Sequence, residues 1–214
     1  MTNYELIQKK INEYNAQLIV VSKNRSAEEV LPIYNLGQRN FGENRPQELE
    51  SKFNLLPKDI NWHLIGHLQS NKVRSILPIA TLIHSVDNIK LLHVLNEESK
   101  RIRKTQNILL QIKLSAEESK HGFLFTDLLT LLSYKEIQAL ANLNIIGVMG
   151  IGSLTSDPTI TRNEFKTLKN YFSILKEKYF PKDDFKEISM GMSGDYQIAL
   201  EEGATMVRVG SLLF

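Results

Sequence analysis

The sequence predicts an α/β fold, a single (β/α)8 TIM barrel with one extra N-terminal helix, spanning residues 1–214 as one domain. Three observations carry that reading. Short apolar, β-rich runs alternate with stretches of helical spacing, the pattern of βαβ units around a parallel sheet. Eight such runs occur, the strand number of that barrel. Several are almost continuously apolar, as strands covered on both faces by helices must be. A doubly wound open sheet is the competing topology, because periodicity alone does not close a barrel.

Taken in order, Asn3–Tyr14 reads as the extra helix, with Tyr4, Ile7, Ile11 and Tyr14 on one side. The strand runs are then Leu18–Ser22, Asn40–Glu43, Trp62–Gly66, Leu82–Val86, Ile108–Leu114, Ile145–Gly150, Glu187–Met192 and Thr205–Gly210. Between them, Leu49, Phe53 and Leu56, and later Phe165, Leu168, Phe172 and Leu175, fall three and four apart, as on one-sided helices. Ser26 with Glu29, and Thr161 with Glu164, have the S/T-x-x-E spacing of a capping box and predict helix starts. Gly203 predicts a helix stop. Tyr171, Phe172, Tyr179 and Phe180 read as helix core, and the charge run from Glu97 to Lys104 as a solvated helix end.

Composition narrows the function. Apolar residues make up 42% and charged residues 23%, which excludes disorder. Lys and Arg number 26 against 24 Asp and Glu, a net charge of +2, so neither a nucleic-acid groove nor an anionic membrane surface is indicated. No apolar run approaches the ~18 residues of a membrane span, and the polar N-terminus is unlike an export signal. With zero cysteines there is no disulfide, thiolate metal site or cysteine nucleophile. These features fit a cytoplasmic protein with a small-molecule site. No metal site is expected: His63 and His67 are four apart but lie on a strand and the turn after it, without metal-ligand spacing.

A barrel places its site at the C-terminal ends of the strands, so the residues following each run are the ones to read. Ser193-Gly194-Asp195 and Arg208-Val209-Gly210-Ser211 follow the last two runs, where glycine and serine beside a helix N-terminus predict a phosphate cup. Lys23 directly follows a buried strand, where partial desolvation would favour the neutral amine that forms a Schiff base with an aldehyde. An aldehyde that carries a phosphate describes pyridoxal 5′-phosphate (PLP), and Arg208 is the candidate partner for its ring nitrogen.

VVSKNR around Lys23, FGENRPQE (41–48), WHLIGHLQSNK (62–72), IHSVD (83–87), KHGF (120–123), GVMGI (147–151), SMGMSGD (189–195) and GATMVRVGS (203–211) together resemble the YggS/PROSC family of pyridoxal phosphate homeostasis proteins. The resemblance runs essentially end to end. It implies a barrel like the N-terminal domain of alanine racemase, with PLP held as an internal aldimine on Lys23. By the same matching, Ser193, Gly210 and Ser211 correspond to the phosphate cup and Arg208 to the arginine facing the pyridine nitrogen. Asn44 and His67 line the same end, with Met149 and Ser189 close to the ring. One departure is Asn24, where the family usually carries threonine or histidine.

The resemblance implies a PLP carrier or regulator in vitamin B6 homeostasis without robust turnover, a monomer whose partners beyond PLP would be PLP-requiring apo-enzymes, and the chemistry of the arginine agrees. Arginine offers only donors and stays protonated, so it leaves the ring nitrogen without a proton and the ring a poor electron sink. A PLP-dependent racemase is the first alternative; in alanine racemase, however, the second base is a tyrosine from another domain, for which 214 residues leave no room. A class I aldolase-type barrel using Lys23 without PLP is the second.

Overall fold

A computed structural model describes residues 2–114 and 121–214. The elements run α1 (Asn3–Asn12), β1 (Gln17–Val21), α2 (Ala27–Asn35), β2 (Asn40–Glu43), α3 (Pro46–Leu55), β3 (Asn61–Leu64), α4 (Val73–Ile76), β4 (Ala80–Val86), α5 (Ile89–Arg101), β5 (Gln106–Ile112), α6 (Phe125–Ser133), β6 (Leu143–Gly150), α7 (Pro158–Lys178), β7 (Glu187–Ser189), α8 (Tyr196–Glu201) and β8 (Met206–Val209). Each strand pairs in parallel with the next, and the ring closes where β1 meets β8, with Leu18 opposite Val207 and Ile19 opposite Arg208. That pairing removes the open-sheet alternative.

Alternation along the strands sorts side chains to the two faces of the barrel wall. Ile19, Leu82, Leu109, Met149 and Met206, from five different strands, pack on one another as the inner apolar layer. Leu18, Val20, Phe41 and Trp62 point the other way, into the shell of helices that includes Leu49, Phe165 and Leu168. Phe172 is buried there too, while Tyr171 stacks on Phe125 and Phe180 on Phe185. Among the described residues, no helix is long and apolar enough to cross a membrane.

Several expectations need correction. Ser26 and Glu29 form the capping box that opens α2, and Thr2 with Glu5 forms another at α1. Thr161 and Glu164 do not form one: α7 starts a turn earlier, at Pro158, with the Asp157 carboxylate accepting from the Thr159 N–H. Proline at the first helical position, preceded by an aspartate, outweighs the later S/T-x-x-E spacing. Glu164 instead accepts from the Ser153 backbone N–H and hydroxyl across the β6–α7 loop. The seventh run ends as a strand at Ser189, because Gly191 turns the chain away with φ of +86°. Gly203, at φ +88°, ends α8 as its position predicts. Of the KHGF run, Lys120 lies outside the described residues, while Phe123 bridges to Ile112.

Candidate functional site

A cavity of about 840 Å³ opens at the C-terminal end of the barrel. Lys23, Asn44, His67, Ser193, Arg208, Gly210 and Ser211 all line it, joined by Arg25, Lys113 and His121. Five strand ends, from β1, β2, β3, β7 and β8, therefore bring the sequence-selected polar residues to one place, and the end of β5 adds Lys113.

Lys23 sits on a tight turn that immediately follows β1. The Arg25 N–H donates back to the Ser22 carbonyl at 3.0 Å, and Asn24 takes φ of +60° at the third position. Asparagine tolerates that left-handed conformation, whereas a β-branched threonine resists it, which gives Asn24 a local reason. Lys23 is exposed rather than partly desolvated, contrary to the sequence argument, and its amine has no hydrogen-bond partner among the described residues.

Opposite lies a cup made by backbone more than by side chains. Ser193 Oγ accepts from the Gly210 N–H at 3.1 Å, tying the β7–α8 loop to the end of β8. A side chain at position 210 would not fit, since a Cβ there would meet the Val21 carbonyl oxygen at 2.8 Å. Gly194 is open, with nothing within 4 Å of the position of an added Cβ. Because α8 has only six residues, the donors available at this end belong to these loops and the serine hydroxyls rather than to a long helix.

Arg208 differs from Lys23 in almost every respect. It is buried; Nη1 donates to Ser189 Oγ at 2.6 Å and Nη2 to the Gly150 carbonyl at 3.0 Å. Burial pushes its guanidinium down to about 10, partly offset by the nearby Asp195, so it stays charged at neutral pH. Asp195 is itself raised by burial and accepts from the Met192 N–H at 2.5 Å. Behind Arg208 a polar chain crosses the barrel interior. Ser189 Oγ lies 2.9 Å from His84 Nδ1, and His84 Nε2 lies 2.9 Å from His63 Nδ1. Burial lowers His63 to about 4, and burial together with His63 and Arg208 takes His84 well below the usual imidazole value. Both rings are thus neutral with one N–H each, the chain runs in one direction, and His63 Nε2 is left without a partner at its end.

Ser189 therefore reaches the cavity only through Arg208, and Met149 belongs to the inner apolar layer; neither lines the cavity wall. On the opposite rim His67 Nδ1 lies 3.0 Å from Asp87 Oδ2, and His121 Nδ1 3.5 Å from the same oxygen. The two imidazoles stack with centroids 4.2 Å apart and planes 16° from parallel, and one donor atom from each of His67, Asp87 and His121 lies within 4.8 Å of the others, close enough for the three to hold a metal ion, a grouping that the histidine spacing in the sequence did not indicate. Lys113, His84, Asp87 and His121 escaped the sequence reading as site residues. His84 and Asp87 stand in the quoted IHSVD run, but their roles depend on which strand faces them, which no local pattern states.

The arrangement fits PLP by the chemistry of its donors: an amine, hydroxyl and amide donors about a glycine cradle, and a buried guanidinium, all on one cavity. The profile of the alanine racemase N-terminal domain matches residues 1–214. A pyridoxal phosphate homeostasis protein of Synechocystis is 38% identical over 94% of this chain and 91% of its own. The chain belongs to the family of pyridoxal phosphate homeostasis proteins. The human relative of that name is 36% identical, over 92% of this chain and 75% of its own. PipY of Synechococcus elongatus, solved without and with PLP, superposes with TM-scores of 0.92 and 0.90 at 35% identity over the whole of both chains. An alanine racemase of Clostridium difficile shares the barrel, with a TM-score of 0.79 at 13% identity over 59% of its own length.

Proposed function

We propose that this protein binds PLP in the barrel-end cavity, through a Schiff base on Lys23, and serves PLP homeostasis as a holder of the cofactor rather than as a robust catalyst. The observation that carries the reading is the convergence of Lys23, the Ser193–Gly210–Ser211 cup and Arg208 on one cavity. The PLP-bound state of PipY and the name shared by the curated relatives support it. When bound, PLP supplies an electrophilic aldehyde and a conjugated ring. The Lys23 amine is the group that would hold the aldehyde carbon, acting as the neutral amine once its proton is lost. Ser193 and Ser211 hydroxyls and the backbone around Gly194 and Gly210 bind the phosphate. Arg208, held on Ser189 and Gly150, donates to the ring nitrogen and leaves it without a proton, which weakens the electron sink on which carbanion chemistry depends. Among the described residues that line the cavity there is no tyrosine to act as the opposing base of a racemase.

The test is a visible absorption spectrum of the protein with added PLP, beside Lys23→Ala, followed by borohydride reduction and peptide mapping. A yellow band that reduction fixes on Lys23, absent from the variant, is expected. No band in the wild type would refute the cofactor assignment and return the aldolase-type barrel to the front. Ser193→Ala combined with Ser211→Ala should weaken PLP retention by about tenfold, the equivalent of one net hydrogen bond, while the yellow band persists at saturation.

A further inference from the structure

On the outer face of the barrel wall, between the sheet and α3, lies a buried ionic cluster for which the proposed function has no role. Lys52 of α3 is only 5% exposed, and Glu43, at the end of β2, is fully buried. Lys52 Nζ donates to Glu43 Oε1 at 2.5 Å and to the Ser22 carbonyl at 2.5 Å, and the Ser22 hydroxyl donates to the same Glu43 oxygen at 2.6 Å. Ser22 is the residue before Lys23. One helical turn before Lys52, Glu48 Oε2 accepts the backbone N–H of Asn24, the residue after Lys23, at 2.8 Å. The two α3 side chains thus grip the backbone on both sides of the lysine while leaving its amine free.

Stability alone does not account for this cluster. A buried ion pair costs so much desolvation that apolar residues of the same volume usually serve the fold as well or better. What an apolar pair could not do is hold the Ser22 carbonyl, which receives both Lys52 and the Arg25 N–H, and so fix the turn from which Lys23 projects. We infer that Glu43, Lys52 and Glu48 are positioning residues for Lys23: a clamp on the turn that sets the reach of its amine toward the aldehyde. This rests on the Schiff-base reading above. The groups assigned to the phosphate and the ring nitrogen lie on β7, β8 and their loops, which α3 does not touch through this cluster. The clamp should therefore govern the covalent part of binding and leave the non-covalent part intact.

Two probes separate those parts. PLP carries the aldehyde, whereas pyridoxine 5′-phosphate has the same ring and phosphate but a hydroxymethyl group that cannot condense with an amine. The variant to compare with wild type is the double Glu43→Gln, Lys52→Met, which removes the grip on Ser22 without stranding a buried charge; Glu48→Ala releases Asn24 alone. In both, the dissociation constant for PLP should rise by about tenfold, as for one lost charge-assisted hydrogen bond, while that for pyridoxine 5′-phosphate stays within about twofold. Glu48→Gln keeps an acceptor for the Asn24 N–H and should restore PLP binding. Equal weakening of both probes would reduce the cluster to general support of the barrel end, and unchanged PLP binding would remove its role altogether; either result overturns the inference. A wild type that binds both probes equally and shows no yellow band would instead refute the Schiff base itself, and the clamp with it.

Discussion

The two faces of the barrel wall solve the burial of polar groups in opposite ways. Outside, beneath α3, Lys52 and Glu43 are buried as a full ion pair whose bonds converge on the backbone before Lys23. Inside, His63, His84 and Ser189 form a chain that is neutral except at its end, where Arg208 carries the charge to the cavity. The outer network holds a backbone and leaves the Lys23 amine exposed; the inner one holds the Arg208 guanidinium itself. On the proposed function, a group that must move and react is anchored through its main chain. One that must only present a fixed donor is anchored through its own polar atoms.

The comparison breaks most visibly if the outer pair is cut on one side. Lys52→Ala leaves Glu43 buried with its charge uncompensated, and removal of one member of such a pair costs roughly 3–5 kcal/mol. Lys23→Ala, one residue beyond the Ser22 carbonyl that the same network holds, should shift stability by no more than about 0.5 kcal/mol, as expected for an exposed side chain without partners. Urea denaturation of the PLP-free proteins measures both. A Lys52→Ala protein as stable as wild type would mean that Glu43 is protonated or solvated once its partner is lost, and that the pair is not a structural anchor.

Acid sharpens the contrast from the other face. His63 stays neutral in the folded protein down to about 4, while in the unfolded chain it takes up a proton near 6.5. The unfolded state therefore binds more protons between those values, so stability is full above pH 6.5 and falls as the pH drops toward 4. At 1.36 kcal/mol per unit, His63 accounts for about 3 kcal/mol of that loss, and the depressed His84 acts in the same direction. Glu43 acts in the opposite direction, because burial raises its carboxyl above the ordinary value and the folded state is then the better proton acceptor. Urea midpoints between pH 7 and 4 should fall in wild type, and fall less in a His63→Leu, His84→Leu double variant. A flat wild-type profile would show that the interior histidines are not held neutral.

How much of this was legible in the sequence follows the range of the interactions. The eight strands and the residues after them could be read because alternation, apolar runs and turn chemistry are local; Lys23, Arg208, Ser193 and Gly210 announce themselves at strand ends. Thr161 misled because two local signals competed and the proline with its aspartate lay closer to the true start. The networks behind the site could not be read. Lys52 is one of many helix lysines until the fold sets it beneath Ser22, 30 residues earlier, and His84 meets Ser189 across 105 residues of chain. Barrel closure brings those pairs together, and no spacing in the chain encodes it. Met149 and Ser189 show the reverse limit: matching them to family positions puts them near this end of the barrel, but that they lie one layer below the cavity wall follows only from the fold.

The smallest effect lies at the turn itself. Asn24 holds φ at +60° with its N–H on Glu48, a conformation that costs asparagine little and glycine nothing. Asn24→Gly should change stability by only a few tenths of a kcal/mol, the relief of strain being offset by the greater freedom of the unfolded chain. Asn24→Val forces a β-branched residue into the left-handed region and should cost about 1–2 kcal/mol. If the outer clamp is as stiff as its bonds suggest, the turn keeps its shape in the valine variant, the strain appears as lost stability, and PLP binding is retained. If instead the turn relaxes, stability returns while the reach of Lys23 changes, and PLP binding falls with pyridoxine 5′-phosphate binding unaltered. Measuring the urea midpoint and the two dissociation constants on the same variant thus reads whether the backbone around Lys23 is held as firmly as the guanidinium of Arg208.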